Sequence, residues 1–323
     1  MVQSILLPIL LFSAIFKPGA TGYTFLKLGI GVRPVAMGGA FTAISDDADG
    51  LFWNPGGLGI IKDYYLSGMV MNHLFYFNYY NLAAVIPITK HSGLGIGLSY
   101  LGAQDIEYSE RGEEGAQFIN SDMLLNIGYG YSYGRHKIVS FGGCLKVVRS
   151  QLHHYTAYGG LLDLGVIFNP YRFLYFGTTI KNLGSPRRFI ERWEYPPVNF
   201  RQGVALKLPF WQNQFTLSFD YSVYPDVAPS FCLGAELRIH APEFMESMDQ
   251  KKVSGFSLMA GYRSGYGEGT LSGLSFGFSL EMILAQNLFL DIGILALSYG
   301  YLGTSGRIGL GLHYVPRKVR ARK

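Results

Sequence analysis

The stretch Ser230-Phe-Cys-Leu-Gly-Ala-Glu-Leu-Arg-Ile-His240 decides the fold. Ser230, Cys232, Gly234, Glu236, Arg238 and His240 interleave with Phe231, Leu233, Ala235, Leu237 and Ile239, giving one polar face and one continuous apolar face. A period of two belongs to an extended strand, whose successive side chains point to opposite sides of a sheet. The pattern returns in Thr216, Ser218, Asp220 and Ser222 against Phe215, Leu217, Phe219, Tyr221 and Val223. It returns again in Arg307, Gly309, Gly311 and His313 against Ile308, Leu310, Leu312 and Tyr314. A soluble sandwich would bury the apolar face and expose a well-charged one. Here the polar face is built of small residues with sparse, mixed charge, while the apolar face is rich in Leu and aromatics. Lipid outside and a polar lumen inside fit that inversion, so the sequence predicts an all-β transmembrane antiparallel β-barrel.

Composition agrees. The chain has 323 residues, with 42 Gly, 23 Tyr and 23 Phe, and only 15% are charged, against about 25% in soluble domains. After the N-terminus no uninterrupted apolar run reaches the length of about 18 residues that a spanning helix needs. The formal net charge is +5, and the tail residues Arg317, Lys318, Arg320, Arg322 and Lys323 account for it, so a nucleic-acid partner is not expected. Cys144 and Cys232 lie on the polar faces of separate strands without CxxC spacing or neighbouring histidines, which predicts lumen fillers, no disulfide framework and no metal site.

The apolar run Ser4–Phe16, followed by small residues at Ala20 and Gly22, reads as a signal peptide over 1–22, although no Lys or Arg precedes it. Residues 23–62 form a Gly-rich segment, 63–314 a barrel and 315–323 a basic periplasmic tail. About fourteen strand-like segments fall between Asp63 and Tyr314, and an even count suits a closed bacterial barrel. The longer connections, 102–120, 150–157, 183–197 and 264–270, are assigned to the cell exterior and the tight ones to the periplasm. Residues 241–252 are the exception, a longer periplasmic turn.

The densest motif precedes the first strand: Arg33-Pro-Val-Ala-Met37-Gly38-Gly39, then Asp46-Asp47, then Trp53-Asn54-Pro55-Gly-Gly-Leu58. Adjacent glycines permit backbone conformations closed to other residues, and Pro55 fixes a turn. The segment is therefore expected to fold into the lumen as a hatch or plug. Met37-Gly38-Gly39, the acidic pair and Asn54-Pro55 resemble the N-terminal segment of PorV/PorQ-like proteins, themselves similar to FadL-type outer-membrane transporters. Ile180-Lys-Asn-Leu-Gly184, Pro196-Pro197 leading to Arg201 and Gly203, Gly234-Ala-Glu236, Gly261-Tyr-Arg263 and Leu274-Ser-Phe-Gly-Phe278 follow in that family's order. The resemblance runs from about Leu28 to Tyr314. It implies a fourteen-stranded outer-membrane barrel with an N-terminal hatch and one of two roles. One is passage of hydrophobic small molecules, as on the FadL side. The other is work with secreted proteins and secretion components, as in PorV and type IX secretion. A plugged structural or surface-display scaffold is the third alternative.

On the polar faces Lys146, Asp163, Arg201, Lys207, Asp220, Glu236, Arg238, Arg263, Glu281, Asp291 and Arg307 predict an ion-pair network that holds the hatch. No Ser nucleophile beside a His and no spaced pair of acids can be read among them, so no catalytic residue, enzyme activity or cofactor is expected. Ser45, Asp47, Asp49 and Gly50 mimic the start of a calcium loop, but its twelfth position is Gly56 where Glu is required. His153 and His154 read as solvated loop residues. Gly93, Gly95 and Gly97 share one strand face, which suits packing against the hatch better than a phosphate loop. Arg187, Arg188, Arg192 and Trp193 are the candidate external recognition surface, with the interfacial girdle the favoured alternative for Trp193 and its neighbour Tyr195.

Overall fold

The computed structural model describes residues 19–73, 77–108, 114–134, 137–240, 253–266, 268–269 and 271–316. The apolar run at 4–16, the turn 241–252 and the basic tail from 317 lie outside the described residues.

Fourteen antiparallel strands close on themselves. In chain order the strands are β1 (Tyr64–His73), β2 (Phe77–Thr89), β3 (Ser92–Tyr108), β4 (Glu114–Tyr133), β5 (Val139–Leu152), β6 (Tyr155–Tyr171) and β7 (Leu174–Gly184). Two short strands, β8 (Arg187–Arg188) and β9 (Trp193–Glu194), form a separate small hairpin. The wall resumes with β10 (Asn199–Phe210), β11 (Asn213–Val223), β12 (Ser230–His240), β13 (Val253–Arg263), β14 (Leu274–Ala285), β15 (Leu288–Ser298) and β16 (Thr304–Tyr314). Closure comes from β1 against β16, with Tyr64 opposite Tyr314. Both barrel termini therefore sit at one rim, called here the turn end. The opposite rim is the loop end.

The alternation in sequence becomes alternation in exposure. On β12, Ser230, Cys232, Gly234 and Glu236 are buried while Phe231 and Leu233 are exposed. Outward Leu, Ile and Val recur round the wall, Leu66, Leu82, Ile96, Ile127, Leu145 and Ile308 among them. A closed barrel leaves no unpaired sheet edge, which is the condition for crossing hydrocarbon with strands. Outward aromatics pair across strands near both rims. Tyr64 meets Tyr314 and Tyr131 meets Phe141 toward the turn end, while Tyr80 meets Tyr100 and Tyr221 meets Phe231 toward the loop end. Such amphipathic rings suit the two membrane–water boundaries.

Two of the expected exterior loops are strand instead. β3 continues to Tyr108 and β4 starts at Glu114, so most of 102–120 is a tall hairpin. β5 and β6 extend to Leu152 and from Tyr155, leaving His153-His154 as a two-residue turn with His153 at φ 54°. Backbone register alone defines the taller part, from Ala103 opposite Asn120 to Tyr108 opposite Glu114.

Candidate functional site

Residues 24–61 cross the interior of the barrel. The segment has a single 3-10 turn at Thr24–Lys27, α1 (Val32–Ala36), α2 (Gly50–Trp53) and a second 3-10 turn at Pro55–Gly59. Helices this short do not stand alone in water. Burial holds them: Met37, Phe41, Leu51 and Leu58 are fully enclosed and Trp53 is 4% exposed. Each large apolar side chain so buried contributes about 1.5–3 kcal/mol.

Glycine makes the close approach possible. Gly38 has φ 64°, and a Cβ there would lie 2.6 Å from the Leu233 carbonyl oxygen and from the Tyr262 backbone nitrogen. Its neighbour Met37 packs equally close to Gly234 and Gly261 of the wall. On the opposite side Gly93, Gly95 and Gly97 face Leu58, Leu51 and Phe52.

Asn54 and Pro55 start the second 3-10 turn. The Asn54 side-chain oxygen accepts from Gly56 N at 3.0 Å, and its amide donates to the carbonyls of Thr42 (2.8 Å) and Val166 (3.1 Å). Pro55 follows at a position that has no backbone donor to lose. A buried amide with every partner satisfied stitches the segment to β6.

Charged residues tie it to β10–β12. The Arg33 guanidinium grips Glu236 with two bonds (2.7 and 2.9 Å) and reaches Asp46 (2.6 Å) and Asp47 (2.8 Å). Lys207 meets Asp46 at 2.6 Å, and Arg238 meets Glu236 at 3.3 Å. Above them, Asp220 accepts from Phe41 N (3.2 Å), Thr42 N (3.0 Å) and Thr42 Oγ1 (2.5 Å) while pairing with Arg201 at 2.9 Å. Arg201 also donates to the Gly39 carbonyl, and Arg307 to the Gly29 carbonyl. Burial opposes ionisation of Asp46, but Arg33, Lys207 and Arg238 outweigh it and hold its carboxyl well below the usual range. Asp47 is pushed up by burial, and Asp49 by burial and by Asp47 to about 7.

The remaining inward charges do other things. Lys146 pairs with Asp163 at 2.5 Å within the wall, and Arg263 donates to the Tyr266 hydroxyl at 3.3 Å. Glu281 and Asp291 lie at the turn end beside His313. Cys144 and Cys232 are buried and unbridged.

Lys181 is the principal residue that the sequence reading misses. β7 bulges opposite Asp163, where Asn182 takes φ 61° and its backbone N–H donates to Asp163 at 2.7 Å. A bulge breaks strict alternation, so Lys181 and Asn182 both serve the interior. Lys27, which pairs with Asp226 at 2.5 Å, is missed as well.

The candidate recognition surface divides. Arg187 is 9% exposed, paired with Glu194 (2.8 Å) and Asp122 (3.1 Å) and stacked over Tyr23. It is a structural tie between hairpin, wall and N-terminal segment, and these partners, with Ser150 and Phe189, withdraw it from any external surface. Arg188, Arg192 and Trp193 are exposed, with Arg188 over the Trp193 ring at 5.6 Å.

Two cavities flank the segment. One, of about 30 Å3, faces the loop end and is lined by Leu26, Leu28, Ile30, Phe52 and Trp53 together with Lys181, Arg201 and Arg263. The other, of about 490 Å3, opens at the turn end and is lined by Arg33, Asp46, Asp49, Arg238, Asp291 and His313 among others. They share no lining residue.

No family model matches the sequence, and no curated protein does. Solved structures do match. The toluene transporter TodX of Pseudomonas putida superposes with a TM-score of 0.58 at 9% identity, over 90% of this chain and 99% of that one. The toluene transporter TbuX of Ralstonia pickettii gives 0.57 at 11%, over 88% and 97%. This chain has the fold of those barrels. A Pseudomonas aeruginosa FadL homologue gives 0.53 at 8%, over 88% and 98%. Identities this low carry architecture and no residue-by-residue equivalence.

Proposed function

We propose that this chain is a bacterial outer-membrane passage for small hydrophobic solutes, without chemical catalysis, in which residues 24–61 act as the hatch. The observation that carries this reading is the pair of cavities with the segment between them. The loop-end cavity has room for little more than a water, and its Leu, Ile, Phe and Trp side chains share the lining with Lys27, Lys146, Lys181, Arg201 and Arg263, so it is the closed end of a path and not a preformed solute site. The turn-end cavity is larger, and charged side chains there alternate with apolar ones such as Val32, Met69, Phe256, Met259 and Phe289. A solute passes only if the segment shifts.

The attachments suggest where. Toward β10–β12 the segment is fixed by ion pairs from Arg33 and Asp46 and by the hydrogen bonds that Asp220 accepts from Phe41 and Thr42. Toward β14–β16 it rests on small residues: Ala36 meets Gly277, and Val32 meets Gly293 and Gly309. Hydrogen bonds through Ser275 and Arg307 are the polar ties on that side. Moving α1 off β15 opens the way to the turn-end cavity, of which Val32, Gly293 and Gly309 are part of the lining.

A docking or shuttle role for exported proteins is the second reading, and the motif order shared with PorV/PorQ-like sequences favours it. One experiment separates the two. Deleting residues 33–58 while retaining an assembled barrel changes uptake of a small aromatic hydrocarbon by intact cells if the chain conducts solutes. Unchanged uptake with loss of exported proteins from the cell surface supports docking. If neither changes, the plugged scaffold stands.

A further inference from the structure

We infer that Glu281, Asp291 and His313 form a site for one first-row divalent transition-metal ion, of the Zn2+ class, at the turn-end mouth of the lumen. One donor atom from each residue lies within 4.8 Å of the others. The strands place them. Glu281 on β14 is directly opposite Asp291 on β15, and Asp291 is opposite Gly311 on β16, two residues before His313 on the same face. Three adjacent, hydrogen-bonded strands hold donors more exactingly than a loop does.

The imidazole is fixed as well. Its ring stacks on Phe289 (4.7 Å between centroids, 8° between planes) and on Tyr65 (5.4 Å, 28°). Nδ1 faces Asp291 at 3.1 Å and Nε2 faces Glu281 at 3.9 Å. Two metal–ligand bonds of about 2.0–2.2 Å span the latter gap, and the Asp291 carboxylate, on the Nδ1 side, orients the ring as an outer partner while water completes the coordination. Gly311 carries no side chain and leaves the Asp291 carboxylate open to the cavity.

Charge supports an ion. Asp46, Asp47 and Glu236 share Arg33, Lys207 and Arg238. Glu281 and Asp291, by contrast, have no Lys or Arg ion pair among the described residues, and only His313 meets them. Two carboxylates with a neutral imidazole neutralise a divalent ion. The nitrogen donor favours transition metals over Ca2+, which takes six to eight oxygens. The bound ion would pin β14, β15 and β16 beside the closing seam.

The test uses the full-length, untagged chain folded in detergent, stripped with chelator and titrated with Co2+ and then Zn2+. The expected result is one equivalent of Co2+ with visible d–d absorption, displaced by Zn2+ and not by equimolar Ca2+ or Mg2+. His313→Gln, Asp291→Asn and Glu281→Gln should each weaken Zn2+ at least about tenfold, with the heat-modifiable gel shift of the folded barrel retained. The double change His153→Ala and His154→Ala, at the other rim, should leave it unchanged. Absence of the Co2+ bands overturns the site. So does Zn2+ affinity indifferent to all three lumen variants that fold, or lost in the rim variant.

Discussion

Asp49 shows how one side chain couples the lumen to pH. It lies against Gly31, accepts from Ser67 Oγ at 3.0 Å and has its pKa pushed up to about 7 from an ordinary 3.8, by burial and by Asp47. A carboxyl with a raised folded-state pKa contributes stability that is fully present below its unfolded value. That stability is lost as pH rises toward the folded one. Asp49→Asn keeps an acceptor for Ser67 and removes the charge. The expected outcome is a variant whose advantage over the natural chain grows between about pH 4 and pH 7 and is constant above, read as the difference in urea midpoint. A second residue sets the scale of a polar stitch: Asn54→Ala removes the bonds to the Thr42 and Val166 carbonyls and takes away the side-chain acceptor of the Gly56 N–H, and should lower stability by about 1–3 kcal/mol. Asn54 was legible in sequence because it stands before Pro55 in a Gly-rich run. Lys181 was not, because the bulge at Asn182 that turns it inward is a tertiary response to Asp163, invisible to a period-two reading.

At the scale of an element, register is the claim most open to attack. Leu233 is 52% exposed and its neighbour Cys232 is 0% exposed, so adjacent positions on β12 face outward and toward the segment at residues 24–61 respectively. Leu233→Arg should cost about 2–4 kcal/mol near the bilayer midplane, while Cys232→Ser, a nearly isosteric change, should cost less. Unfolding in the presence of lipid vesicles reads the difference, and equal costs would refute the register. β12 was readable because each of its faces has one solvent, lipid or lumen, and so one chemistry. The upper hairpin of β3 and β4 was not, because the sequence sets Gln104 beside Asp105 and Phe118 beside Ile119, like next to like, and offers no period of two. The β8–β9 hairpin was also read for its Arg and aromatic content alone. Arg187 shows the limit of that reading, since Asp122 lies 65 positions away in sequence and no local pattern connects them.

The whole molecule is a wall and a segment inside it, and the lengths of the connections predict an orientation that labelling can check. A peptide tag inserted at Ile190, in the loop-end hairpin, should label on intact cells, whereas one at Gln212, in the β10–β11 turn, should label only after the outer membrane is breached. The central claim is that the segment at residues 24–61 gates a hydrophobic path. Val32 and Gly293 test it, because a Cβ on Gly293 would lie 3.4 Å from the Val32 Cβ, close to disulfide spacing. In a Cys144→Ser, Cys232→Ser background, Val32→Cys with Gly293→Cys would lock α1 to β15. The decisive measurement is uptake of a radiolabelled small aromatic hydrocarbon by cells carrying this variant, oxidised and then reduced. The account predicts uptake near the level of cells without the barrel when oxidised, restored on reduction. Equal uptake in both states, with the disulfide formed and the barrel folded, would contradict it.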